Sequence, residues 1–288
     1  MGPTAAGNFD LPNPSTRNPK PVTRNRQPSK DRMQHYRKDQ VSYRYCAASK
    51  IGLVRKNNED TLLTLPDLGL FAVCDGLGGH AAGEIASSLA AAAFGRAVSE
   101  SQRKDIWEVL FQAIVNANSS IMEEQSRTPA LTGMGTTLSA MWVGGGDSGQ
   151  GAIAHIGDSR IYRYRNGELE QLTEDHSPVF ELYKKGLISK EEMQKHPHKS
   201  LIDRCLGISS VVEPQIFSIP LHPGDRFLIS TDGLTDSLSD DQIFRTLAEC
   251  SLESALGRLF NEAYRAGAPD NITVVLVEII QPVGTIRN

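Results

Sequence analysis

The residues with the most chemical promise in this 288-residue chain are aspartates standing where β-strands end or begin. Phe71-Ala-Val-Cys-Asp75-Gly76 closes an apolar run with Asp-Gly, and Phe227-Leu-Ile-Ser-Thr-Asp232-Gly233 closes another the same way. Ala152-Ile-Ala-His-Ile-Gly-Asp158-Ser159 closes a third, while Pro269-Asp270-Asn271-Ile272 opens a fourth. In an antiparallel sheet the start of one strand shares a rim with the ends of its neighbours, so these carboxylates can converge. Glu59-Asp60, just ahead of Leu62-Leu-Thr-Leu, is placed by the same logic. Gly76 and Gly233 supply tight turns and a closely approaching backbone carbonyl.

A lone Asp-Gly after a strand is ordinarily a turn. Four aspartates sharing this placement, with Glu59-Asp60 beside them, point to a site. Each close carboxylate pair costs about 4 kcal/mol at an effective dielectric near 20, so the cluster needs compensation by protonation or by bound cations. With this many oxygen donors and no matching His/Cys cluster, hard divalent cations, Mg2+ or Mn2+, are the better answer. Arg55 alone would be a surface charge; beside such ions it reads as a bidentate clamp for a phosphate dianion.

Other side chains carry less. His80, after Gly78-Gly79, suits capping or solvent exposure as well as catalysis, and His176 in Thr173-Glu-Asp-His176 reads as a structural hydrogen-bonding histidine. His196 and His198 flank a proline without zinc-ligand spacing. Cys74 alternates inward as a packed core thiol, and no nucleophile motif of the GxSxG kind occurs.

The elements that must carry these residues come in blocks. Strands are expected at 62–66, 68–74, 136–143, 152–156 and 160–165, with Asn166-Gly167 signalling a hairpin into 168–173. Strands also fit 211–219, 226–231 and 271–280. Helices fit the Ala-rich stretch 81–98, residues 104–125, a stretch after Ser239 and residues 252–266, with a polar helical patch over 178–196. Ser189 with Glu192 and Ser239 with Gln242 form capping boxes. Hairpin-linked strand blocks separated by helices imply an α+β fold with antiparallel sheets rather than a Rossmann alternation.

Composition sets the bounds. Hydrophobic residues at 39% and charged residues at 22% fit a globular chain, and no apolar run approaches the roughly 20 residues of a membrane span. The four scattered cysteines form no CxxC pair, which argues against a zinc knot or disulfide framework and suits a reducing cytoplasm. The net charge of −4 divides into +6 over residues 1–44 (nine Lys/Arg, three Asp/Glu) and −10 over the rest (21 against 31). Six of the 15 prolines also lie in that first block. Residues 1–42 therefore read as a disordered basic tail, either a plain solvated extension or an arm for acidic partners or lipid headgroups. Residues 43–282 read as one domain, and no nucleic-acid partner is expected.

Eight segments in order carry a resemblance: Gly52-Leu-Val-Arg55-Lys-Asn-Asn-Glu59-Asp60, Ala72-Val-Cys-Asp75-Gly76-Leu-Gly78-Gly79-His80, Gly135-Thr-Thr, Gly157-Asp158-Ser159-Arg160, Thr173-Glu-Asp-His176-Ser, His196-Pro197, Ser230-Thr-Asp232-Gly233-Leu-Thr-Asp236 and Asp270-Asn271-Ile272-Thr. They resemble the metal-dependent PP2C (PPM) protein serine/threonine phosphatases, especially the compact bacterial ones. The resemblance implies a four-layer α-β-β-α sandwich, two central antiparallel sheets flanked by helices, with metals at one end. It implies that Asp75 bridges two Mn2+ or Mg2+ ions, that the Gly76 carbonyl binds one of them, and that Asp232 and Asp270 complete the first. Glu59 and Asp60 would contact the site mainly through water, and Asp158 with Asp232 would form a weaker third ion site. Arg55 matches the phosphate-binding arginine, and residues 177–205 match a flap that tunes substrate access.

Leu77 occupies the position where animal members carry a histidine proposed as general acid, so the leaving-group proton must come from water or another group. The implied reaction is direct attack of a metal-activated water on the phosphorus of phosphoserine or phosphothreonine, with no phosphoenzyme. A bacterial serine/threonine kinase and its substrates are the implied partners, and a monomer is expected. Rival readings are a two-metal phosphohydrolase for small phosphoesters and a non-catalytic phosphoprotein-binding module.

Overall fold

A computed structural model of the chain describes residues 36–38, 41–78, 81–103, 105–144 and 149–282. The elements run β1 (Tyr36–Lys38), β2 (Val41–Lys50), β3 (Thr61–Leu65), β4 (Leu70–Cys74), β5 (Gly76–Leu77), α1 (Ala81–Glu100) and α2 (Ile106–Arg127). Then follow β6 (Gly135–Thr136), β7 (Leu138–Val143), β8 (Gln150–Ile156), β9 (Arg160–Arg165), β10 (Glu168–Gln171), α3 (Pro178–Lys184) and α4 (Lys190–Gln194). The chain continues with β11 (Gln215–Pro220), β12 (Arg226–Ser230), α5 (Asp232–Thr235), α6 (Asp240–Glu249), α7 (Leu252–Arg265) and β13 (Ile272–Pro282).

Strand alternation builds the layers. In β4, Phe71 and Val73 face the space between two sheets, whereas Leu70, Ala72 and Cys74 face α1 and α2. In β13, Val275, Val277 and Ile279 face that same space, and Val274 and Leu276 face α6 and α7. Period-two alternation with both faces apolar requires cover on both sides, and the helices supply it. The result is a six-stranded sheet ordered β1-β2-β13-β12-β9-β10 and a five-stranded sheet ordered β11-β8-β7-β4-β3, every pairing antiparallel. With a helix pair outside each, this is the expected α-β-β-α sandwich.

The helices form for local reasons. Buried Ala86, Ala90 and Ala91 let α1 lie close to its neighbours while Phe94 fills the remaining gap. Helix α6 starts at a capping box of Ser189-type geometry, Ser239 with Gln242, and α4 at Ser189 with Glu192, both as the sequence indicates. At the β9–β10 hairpin Asn166 (φ 52°) and Gly167 (φ 82°) are both left-handed, the conformation an Asn-Gly turn supplies.

The N-terminal boundary needs correction. Residues 1–35 lie outside the described residues, as do Gly79, His80 and residues 145–148 between β7 and β8. Residues 36–38 and 41–42, read as tail from the sequence, are instead sheet: β1 pairs with β2, and Val41 and Tyr43 are buried between the sheets. Tyr36 stacks on Tyr43 with ring centroids 6.0 Å apart, and this aromatic surface draws the segment onto the sheet despite its basic flanks.

A buried histidine pair stiffens the end of β8. The ring of His155 lies 4.8 Å from that of His176. His155 Nε2 donates to the Glu174 carbonyl at 3.0 Å, so its Nδ1 accepts from the Ser139 hydroxyl at 2.7 Å. His176 Nδ1 accepts from the Gly157 amide at 3.1 Å, fixing the turn that leads into Asp158. His176 is thus structural, as its sequence context implies. Burial holds His155 down at about 4; burial, with His155 and Arg204 nearby, holds His176 down at about 3.

Two outcomes follow for stability. Phe71→Ala removes a fully buried ring packed edge-on to Tyr43 at 5.9 Å, and urea denaturation should show a loss of about 3–5 kcal/mol. His155 folds with its pKa depressed from 6.5, so the unfolded chain takes up its proton first and the neutral ring's contribution is complete above that value. It declines as pH falls from 6.5 towards about 4, by an amount on the order of 3 kcal/mol. Unfolding titrations of wild type and His155→Gln should therefore converge as pH drops from 7 to 4; parallel curves would refute this role.

Candidate active site

The strand ends meet at one rim, as the antiparallel argument requires. Thr61 at the start of β3 pairs with Cys74 at the end of β4, and Ser230 at the end of β12 pairs with Val274 near the start of β13. A cavity of about 250 Å3 opens there, lined by Arg55, Glu59, Asp75, Gly76, Leu77 and Asp158, and by Ser200, Ile202, Asp232, Asp236, Asp270 and Asn271. Of the sequence-predicted residues, Arg55, Glu59, Asp75, Gly76, Asp158, Asp232 and Asp270 all reach it.

Asp60 does not line this cavity. It is buried behind it, where its Oδ2 accepts from Thr231 Oγ1 at 2.8 Å and Thr273 Oγ1 at 2.7 Å. His176 lines a different cavity, and His196 and His198 sit on the segment between α4 and β11 with their rings 5.7 Å apart. Cys74 is a core thiol, its pKa raised by burial and by Asp60 and Asp75.

Backbone clamps hold each carboxylate in place. The Asp75 amide donates to Thr137 Oγ1 at 3.0 Å, and its carbonyl accepts from the Thr137 amide at 2.9 Å and Thr136 Oγ1 at 2.7 Å. Asp158 follows Gly157, whose φ of 114° disfavours any side chain, and a Cβ there would meet Thr137 Cγ2 at 2.5 Å. A Cβ on Gly76 would come within 2.2 Å of the Gly83 carbonyl oxygen and 2.6 Å of that of Glu59, so glycine is required for α1 to approach this closely. The Glu59 amide donates to Asn271 Oδ1 at 2.9 Å, joining the start of β3 to the start of β13. Arg55 Nη2 donates to Asp270 Oδ2 at 2.5 Å.

Thr137, Thr231, Asn271 and Thr273 all fall inside the motif segments but carry no site role in the sequence reading; a hydroxyl or amide at a strand end beside an aspartate is the available signal.

The electrostatics are those of unshielded acids. Burial raises Asp60 to about 7 against the pull of the two threonines, with Asp232 and Asp270 adding to the rise. Burial raises Asp75 well above the carboxylate range, reinforced by Asp60, Asp232 and Asp158. Asp158 is raised by burial and by Asp232, and Asp232 rises to about 6 through burial, then Asp236 and Asp270. Asp158 Oδ1 and Asp232 Oδ1 are buried with no hydrogen-bond partner.

No three such side chains among the described residues already stand at ligand spacing around one point; Arg55 engages Asp270, and the threonines hold Asp60. The donor chemistry nevertheless fits a hard cation: oxygen-only, anionic, with two buried carboxylate oxygens lacking a donor.

Known proteins resemble this chain in sequence and fold. The family model described as Protein phosphatase 2C matches residues 55–271. The serine/threonine protein phosphatase PstP of Mycobacterium tuberculosis is 41% identical over 237 residues, which make up 82% of this chain and 45% of that protein. This chain therefore spans less than half the length of that relative. The serine/threonine phosphatase stp of Listeria welshimeri is 36% identical over 243 residues, 79% of this chain and 92% of the relative. Among solved structures, the catalytic domain of PstP in complex with two manganese ions superposes with a TM-score of 0.75 at 38% identity, covering 83% of this chain and 99% of that one. On the extent of the family match and these identities, the chain belongs to the protein phosphatase 2C family.

Proposed function

We propose that this protein is a divalent-metal-dependent phosphatase that hydrolyses phosphoserine and phosphothreonine in proteins. The observation that carries the reading is the cavity where Asp75, Asp158, Asp232 and Asp270 converge, with two buried carboxylate oxygens unpartnered and Arg55 at its wall. Relatives named as serine/threonine phosphatases, and one solved with two manganese ions, support it.

Asp75, Asp232, Asp270 and the Gly76 carbonyl are the proposed holders of two Mn2+ or Mg2+ ions, with Glu59 and Asp60 further out and Asp158 with Asp232 serving a weaker third. Such ions supply charge neutralisation and lower the pKa of water. The chain's own residues do the rest. Arg55, on an exposed loop, can exchange Asp270 for a phosphate and present two parallel N–H donors to its equatorial oxygens. Ser200 and Ile202 bring residues 177–205 to the cavity wall, where this flap can select the peptide around the phosphorylated residue. Leu77, also in the wall, has no proton to give, so a leaving oxygen is protonated from solvent in this reading.

A bacterial serine/threonine kinase is the proposed opposing partner and a monomer the proposed state. The four cysteines are free, which supports action in the reducing cytoplasm. No helix among the described residues is long and apolar enough to cross a membrane. Residues 1–35 are proposed as a basic tail appended to the domain.

Phosphate release from a phosphothreonine peptide should require Mn2+ or Mg2+ and vanish with EDTA; turnover surviving full chelation would refute the reading. Arg55→Ala should lower kcat/KM about 10–100-fold, the worth of a charge-assisted hydrogen bond. Millimolar Mn2+ should also raise the melting temperature through linkage, and Asp75→Ala or Asp232→Asn should shrink that shift. A small metabolite strongly preferred over phosphopeptide would favour the small-phosphoester rival.

A further inference from the structure

Among the described residues, the cavity that holds Arg55 has no second basic residue in its wall. Six acidic residues line it, Glu59, Asp75, Asp158, Asp232, Asp236 and Asp270, more negative charge than two divalent ions offset, so a further cation within reach of a bound phosphate dianion would matter. An adjoining cavity of about 160 Å3 lies under the flap and shares Asp158, Ser200, Asp232 and Asp236 with the first. Lys199 lines this second cavity, and its Nζ lies 2.7 Å from Asp236 Oδ2. Its ammonium is thus one hydrogen bond away from a wall common to both cavities.

We propose that Lys199 is a positioning residue for the substrate phosphate, a second cationic contact supplied by the flap, on the phosphatase reading given above. Its present partner holds it weakly. The Lys199 and Asp236 side chains are 37% and 33% exposed, and ion pairs this open contribute about 0–1 kcal/mol. Exchanging a carboxylate for a phosphate dianion therefore costs little and gains a stronger charge-assisted contact.

The other flap cations with described partners are engaged elsewhere. Lys184 pairs with Glu174, Lys185 with Glu181 and Lys190 with Asp240, and none of these acids lines the phosphate cavity. Arg160, which also lines the second cavity, is nearly buried and locked to Asp175 through three hydrogen bonds of 2.6–3.1 Å. Lys199 alone among these is both mobile on its stem and paired at the shared wall.

The test is titration of inorganic phosphate into the manganese-loaded full-length protein, with steady-state kinetics on a phosphothreonine peptide. Lys199→Ala should weaken phosphate binding about 5–20-fold and raise KM by a similar factor, with kcat changed less than about threefold. Lys199→Arg, which keeps the charge, should bind phosphate within about threefold of wild type. Melting temperatures of both variants check that the fold is intact. Wild-type phosphate affinity in a folded Lys199→Ala variant, or a loss confined to kcat, would overturn the proposal and leave the pair as a latch on the flap. A wild-type protein that neither binds phosphate nor cleaves the peptide with manganese present would take the phosphatase reading down with it.

Discussion

Mutual repulsion among buried carboxylates is the constraint around which this molecule is arranged. Burial raises the pKa values of Asp60, Asp75, Asp158 and Asp232, and neighbouring carboxylates add to each rise, which no stable interior tolerates without a positive partner or a shared proton. Much of the surrounding sequence serves to hold those acids where they would not stay unaided. Thr136 and Thr137 grip the backbone of Asp75, Thr231 and Thr273 grip the carboxylate of Asp60, and Asn271 grips the backbone of Glu59. A site assembled against its own electrostatics is strained until charge arrives, and that is the condition under which a cation binds with most effect.

The layers explain how the strain is carried. Three apolar cores lie in series, one between the sheets and one under each helix pair. The rim where the aspartates meet is the end of this packed stack, so displacing one carboxylate means moving a strand whose two faces are both buried. The flap is different in kind. Its anchor at Asp175 is buried and bidentate, but its outer ties at Lys190 and Lys199 are exposed ion pairs. A rigid rim beside a loosely tied cover suits a site with fixed chemistry and an adjustable entrance.

Much of this was legible in the sequence because strand termini and glycines are local signals. The positions of Asp75, Asp158, Asp232 and Asp270 follow from apolar runs that stop, and antiparallel geometry does the rest. The β9–β10 hairpin and both capping boxes are equally local, and the structure has them where expected. Strand β2 was not legible: Val41–Lys50 mixes Tyr, Arg, Ser and Ala and becomes a strand by pairing with β13 and burying Tyr43. The same dependence on distant partners hid β1, which the Pro- and Arg-rich flank placed in a tail. Asp60 shows the limit for the site. Its neighbour Glu59 faces the cavity while Asp60 turns inward to Thr231 and Thr273, and only the register of three strands decides which does which.

The aspartates come from both halves of the sandwich: Asp75 and Asp158 follow strands of the five-stranded sheet, while Asp232 and Asp270 adjoin strands of the six-stranded one. A ligand gripping all of them works as a rivet through two plates. Slippage of either plate would shear it, so occupancy and the seating of one sheet on the other are mechanically the same variable.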